Sequence, residues 1–197
     1  MKPSPRALLA LAAPSLLWGC VIREARLRPD YDTVDKLRTK RLEVVTQPLP
    51  EGVQVLGDMW SLMARRQVNL KRQFIAKETA ALVEPFEPRS RCKEGVEGIL
   101  WLKPDVKREG KYLYTGVKAT LFRCTDGAVV WEAEGAGRWP QQDEGVQQIV
   151  ATYVKELGPD VEPYAGPSFH LIKALVDQMP DPVLNEQDKD EKIELGD

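Results

Sequence analysis

Few residues in this 197-residue chain could do chemistry: three cysteines, Cys20, Cys92 and Cys124, and a single histidine, His170. A serine nucleophile needs a base beside it, and His170 has no Gly-x-Ser-x-Gly elbow to serve. A cysteine nucleophile fails in the same way. There is no Cys-x-x-Cys pair, and His170 is far from the cysteines in sequence, so a closed zinc site lacks ligands. Gly135-Ala136-Gly137 follows a strand pattern but leads into Trp139-Pro140, where a phosphate loop would open a helix. Glu132 and Glu134 lie two apart on one strand face, which reads as an exposed face and not as a glycosidase pair. The expectation is a protein that is not an enzyme and uses no cofactor or metal.

The start of the chain carries an address. Lys2 and Arg6 precede a run from Ala7 to Leu17 that is apolar apart from Pro14 and Ser15, and Gly19-Cys20 closes it. A bilayer crossing takes roughly 20 apolar residues, about twice this run. Cleavage after Ala12 is an alternative, but it leaves only about six apolar residues before the cut. Leu17-Trp18-Gly19-Cys20 resembles the bacterial lipobox, although Trp18 stands where a small residue is usual. That resemblance implies a signal peptide over 1–19, acylation of Cys20 and a lipid-anchored place on the periplasmic side of the outer membrane. Buried acyl chains contribute about 0.8 kcal/mol per CH₂, so such an anchor holds.

The formal charge is −2, and removing Lys2 and Arg6 with the leader makes it −4, which argues against nucleic acid as a partner. Charge is uneven. Arg65, Arg66, Lys71 and Arg72 form a basic run and a candidate anion-binding set, though the plainer reading is a solvated face. Residues 20–40 lack apolar periodicity and read as a tether, and the acidic stretch 181–197 reads as disordered. A single domain is expected over 41–180.

Within that domain, Arg41–Thr46 reads as a strand, and Leu56, Met59, Trp60 and Met63 recur at helical spacing. Gln73–Lys77 reads as a short strand or a continuation of that helix, the strand being favoured. Val96–Leu102, Tyr112–Arg123 and Ala128–Ala133 form an antiparallel three-stranded meander, with turns at Pro104–Gly110 and at Asp126-Gly127, the second a type I′ signal. Facing residue numbers about the first turn then sum to about 215, which brings Cys92 near Cys124 and permits a disulfide in an oxidising compartment. Two free thiols are the alternative. Val146–Leu157 and a helix opening at Ser168 follow, and on the latter His170 shares the outward face with Lys173 and Asp177, as a solvated residue. The fold class is α+β, a mixed sheet with helices packed on it.

The meander's last turn, Leu121-Phe122-Arg123-Cys124-Thr125-Asp126-Gly127-Ala128-Val129-Val130-Trp131, resembles that of periplasmic lipoprotein domains such as the penicillin-binding-protein activator lipoproteins and the periplasmic part of the curli secretion channel. Val44-Val45-Thr46-Gln47-Pro48-Leu49-Pro50 through Trp60-Ser61-Leu62 resembles uncharacterised bacterial lipoproteins. The resemblance implies a fold and a location without an activity. The expected role is a binding or assembly module of a cell-envelope complex, with an envelope protein as partner. A binder of an anionic envelope polymer and, less favoured, a cell-wall hydrolase are the alternatives.

Overall fold

A computed structural model describes residues 21–49, 53–85 and 87–195. Six strands form one mixed sheet in the order β1-β6-β5-β4-β2-β3. They are β1 (Val21–Leu27), β2 (Arg41–Thr46), β3 (Ile75–Ala81), β4 (Gly98–Glu109), β5 (Tyr112–Arg123) and β6 (Val129–Pro140). β2 runs parallel to both β3 and β4, and the other neighbours are antiparallel. The chain is therefore α+β, with helices packed against a mixed sheet.

Alternation along the strands sends one set of side chains to a helix-covered face. Leu42, Val44, Leu100, Leu102, Val117, Ala119 and Leu121 enter the main core there. They meet α2 (Val55–Lys71), which places Met59, Trp60, Met63 and Val68 at full burial. Asp58 in the first turn of α2 and Lys71 in its last suit the helix dipole. Two more helices complete this layer, α4 (Gln147–Leu157) and α5 (Glu162–Val176). Among the described residues the opposite face is covered at one end, where Val45, Val96 and Ile99 form a small second core. Over it crosses the segment that holds the one-turn helix α3 (Pro88–Arg91).

The meander differs from expectation in register. β4 does not turn at Pro104 but continues to Glu109, so facing numbers sum to 221, as in Glu109 opposite Tyr112. Proline is tolerated because β2 pairs β4 only as far as Leu102, which leaves Pro104 on a free edge that needs no N–H donor. The turn is Gly110-Lys111, with Gly110 at φ +60, the position that a type II′ turn reserves for glycine. At the other turn only Gly127 has positive φ, so Asp126-Gly127 is not a type I′ pair. In this register Cys124 faces Glu97, whose carbonyl accepts its N–H at 2.9 Å. Cys92 reaches Cys124 through the chain that follows α3, and the two form a disulfide with Cα atoms 5.4 Å apart.

The stretch 20–40 is not a tether over its described part. Val21–Leu27 is edge strand β1, paired with β6, and Tyr31 is 2% exposed. Asp35, in the short helix α1 (Asp35–Arg38), is fully buried and accepts a 2.6 Å hydrogen bond from Arg123 Nη1. Arg123 also holds Asp126 at 2.6 Å, so one guanidinium ties the N-terminal segment to the β5–β6 turn. This contact joins residues far apart in sequence and leaves no local periodicity to read.

Residues 181–197 are not disordered over their described part either. Helix α6 (Glu186–Glu194) is opened by a capping box in which Asn185 and Asp188 exchange side-chain and backbone hydrogen bonds. Its acids reach the sheet: Asp188 accepts from Lys40 Nζ and Arg41 Nη2, both at 2.7 Å, and Glu191 accepts from Arg41 Nη2 at 2.6 Å. Lys192 donates to the carbonyls of Arg72 and Phe74 at 2.6 Å. Charge pairing, and not apolar content, docks this helix. The last helix of the main layer also opens earlier than Ser168. α5 starts at Glu162 and contains Pro167 in its interior, where the missing N–H leaves the Pro163 carbonyl without its usual ladder partner.

Candidate functional site

An open region lies at one end of the sheet, where β6 stops and the chain crosses to the helix layer. Gln141 is fixed there by its N–H to the Lys111 carbonyl at 3.1 Å and by its Nε2 to the Gly110 carbonyl at 2.8 Å. Two residues on, Asp143 caps a 3₁₀ turn (Glu144–Val146), with Oδ1 accepting from the Gly145 N–H at 2.9 Å. Its Oδ2 is 2.8 Å from His170 Nε2. The His170 hydrogen bond, aided by the Gly145 N–H, holds the Asp143 carboxyl below the usual aspartate range, and burial only partly opposes it.

His170 is therefore not the solvated residue expected from its helical face. Its side chain is 32% exposed, and its ring lies parallel to that of Trp139 with centroids 6.2 Å apart. Trp139 can lie across its own strand because Gly137 has no side chain; a Cβ there would sit 2.1 Å from the indole. Asp143 follows Trp139 by only four residues, but its pairing with His170 spans 27 residues and has no local pattern.

Beside Asp143 a cleft of about 870 Å³ opens between α4, from Gln147 to Val154, and the start of α5. Gln141, Gln142, Asp143, Glu144, Gln147 and Glu162 supply its polar groups, and Val150, Ala151, Val154 and Pro163 its apolar surface. The amides can donate hydrogen bonds to a ligand and accept them from it, and the carboxylates can accept them. Among the described residues the lining holds no Ser, Thr, Cys or Lys, and its ionisable groups are the carboxylates of Asp143, Glu144 and Glu162. No group of three or more His, Cys, Asp or Glu among the described residues could hold a metal ion.

The residues singled out from the sequence fall elsewhere. Cys20 lies outside the described residues. Cys92 and Cys124 are joined on the opposite sheet face, beside Val45 and Ile99. Arg65, Arg66 and Lys71 stand on α2, with Arg72 just after it. Their charges do not converge. Arg65 Nε donates to the Ala76 carbonyl at 3.2 Å, while Arg66 pairs with Glu156 at 2.9 Å and lies 5.4 Å over the Tyr153 ring. Arg72 Nε donates to the Val176 carbonyl at 2.8 Å, and its Nη1 lies 3.4 Å from Asp181. No helix among the described residues is long and apolar enough to cross a membrane.

No protein-family model and no curated protein matches the sequence. Solved structures overlap the chain path at low identity. A PelC dodecamer subunit from Paraburkholderia phytofirmans is 11% identical with a TM-score of 0.49, over 81% of this chain and 97% of that one. The lipoprotein GNA1162 from Neisseria meningitidis is 12% identical with a TM-score of 0.39, over 59% of this chain and 96% of that one. A lipoprotein from Caulobacter crescentus is 14% identical with a TM-score of 0.29, over 71% and 93%.

Proposed function

We propose that the protein is a lipid-anchored, periplasm-facing lipoprotein of the outer membrane that acts as a non-catalytic binding or assembly module of a cell-envelope complex. The observation that carries the binding role is the 870 Å³ cleft, whose amides and carboxylates stand beside the apolar side chains of Val150, Val154 and Pro163. A surface of that make-up holds a ligand by hydrogen bonds and apolar contact. The location rests on the leader and lipobox residues Leu17-Trp18-Gly19-Cys20, and the Cys92–Cys124 disulfide suits an oxidising compartment. The partner is an envelope protein that presents a segment to the cleft.

The anionic-polymer alternative draws no support from Arg65, Arg66 and Arg72, whose guanidinium groups already meet acceptors within the chain. A photo-crosslinking residue at Gln142 or Gln147, in the intact lipidated protein in its own envelope, tests the proposal. One recurrent protein adduct is expected from both positions and none from exposed Glu94, in the strap that crosses the opposite sheet face. Equal labelling from all three positions, or no adduct at all, overturns it.

A further inference from the structure

The direction of β1 sets how the domain meets a membrane. Val21 faces Ala136 on β6, and β6 runs on for four residues to Pro140, opposite Tyr112 at the start of β5. Because β1 is antiparallel to β6, the chain arrives at Val21 from the side of the β4–β5 turn. At about 3.3 Å per residue, that turn stands about 13 Å or more beyond Val21 toward the incoming chain. Cys20 is one residue before Val21, and its Cα is about 3.8 Å away. No flexible spacer separates an acylated Cys20 from the sheet, so the turn reaches the lipid surface whenever the acyl chains insert.

The composition of the turn suits that place. Lys107, Lys111 and Arg138 lie around it with the acids Asp105 and Glu109, while Arg108 turns to the helix layer, 5.3 Å over the Tyr164 ring. Tyr112 carries Arg138 at 4.2 Å and Lys111 at 5.5 Å from its ring centre. Lys107 to Asp105 at 3.3 Å and Arg138 to Glu109 at 3.9 Å are exposed pairs that cost little to open. Asp160, beside Arg108, and Glu144 and Glu162, in the cleft, belong to the helix layer, so Lys107, Lys111 and Arg138 outnumber Asp105 and Glu109 on the sheet side. Tyrosine rings and basic side chains both favour the headgroup layer.

We infer that the Gly110-Lys111 turn, with Lys107, Tyr112 and Arg138, is a second membrane contact that seats on phosphate-bearing lipid headgroups and fixes the tilt of the domain. This rests on the lipid-anchor reading of Cys20. It also places the mouth of the cleft, bonded to the turn through Gln141, next to the membrane.

The test has two arms. In the first, a fluorophore is attached at Lys111→Cys or at Glu94→Cys, near the far end of β4, in the lipidated protein reconstituted in vesicles that carry a headgroup quencher. Quenching several-fold stronger at 111 than at 94 is expected, and equal quenching overturns the inference. In the second, the unacylated Cys20→Ser chain is floated with vesicles of phosphatidylethanolamine and phosphatidylglycerol. Each basic group near an anionic surface is worth about fivefold in binding, so Lys107→Glu with Lys111→Glu weakens binding by about 25-fold or more. An unchanged affinity, or no binding of the parent chain, overturns it. Intact mass decides the anchor separately: an unmodified Cys20 removes the lipid reading whatever the second arm shows.

Discussion

At the scale of single residues, the arrangement with most at stake is Arg123 between Asp35 and Asp126. Asp35 is fully buried and Arg123 is 7% exposed. Asp126, accepting from the guanidinium and from the Ala128 N–H, is held well below the usual aspartate range. Breaking one side of a buried pair strands the other charge, which costs about 3 to 5 kcal/mol. Arg123→Met should lower unfolding stability by that amount in urea titrations. Pairing it with Asp35→Leu should restore most of the loss, since replacing both charges by apolar groups removes the stranded carboxylate. If the single substitution costs less than about 1 kcal/mol, the pair is not what holds residues 28–38 to the sheet.

At the scale of elements, α6 is held by charge and so by pH. Burial alone would raise the Asp188 carboxyl, but hydrogen bonds from Lys40, the Asn185 N–H and Arg41 outweigh it and bring it from 3.8 to about 2. A carboxyl depressed on folding stabilises fully above its unfolded value and loses that contribution as pH falls through the folded one. Docking of α6 should therefore weaken between about pH 4 and pH 2, seen as amide exchange rising in 186–194 while α2 stays protected. Asp188→Asn should bring the same loosening to neutral pH. The segment around α3 depends instead on the disulfide, which closes a loop between residues 32 apart. Loop entropy puts Cys92→Ser with Cys124→Ser at about 3 to 4 kcal/mol of lost stability, measurable by denaturant midpoint.

These two elements show what the sequence makes legible. The spacing of Leu56, Met59, Trp60 and Met63 records burial against one neighbour and can be read directly, as can the strands around Val44 and Leu121. α6 has almost no apolar face, and its only local signal is Asn185 three residues before Asp188; the rest is pairing with Lys40 and Arg41 far upstream. Pro104 misleads for a related reason, because only the end of β2 at Thr46, opposite Leu102, shows that its edge is free. In the candidate site, Gln141 to Gln147 form a local cluster, but the meeting of Asp143, His170 and Trp139 depends on tertiary packing.

At the scale of the whole molecule, the absence of a spacer over 21–40 changes where the chain is open to attack. A flexible tether would offer trypsin Arg23, Arg26, Lys36, Arg38 and Lys40. In the fold these belong to β1, to α1 and to the chain around them, and cleavage needs a stretch of backbone free to leave its hydrogen bonds. Arg28 N–H is bonded to the Val130 carbonyl, and Val183 N–H to the Lys36 carbonyl. The segment before α3 is the contrary case: Val83 is 91% exposed, and Glu84, Pro85 and Glu87 after it are exposed too. Arg89 is exposed there, whereas Arg91 is half-buried against Glu43. Brief trypsin treatment of the oxidised protein should therefore cut first after Arg89, leaving an N-terminal piece that still begins with β1 and a C-terminal piece that keeps both disulfide cysteines. A first cut anywhere from Arg23 to Lys40 would mean that β1 opens more readily than the strap over the second core, and that the domain has, in solution, the tether its sequence suggests.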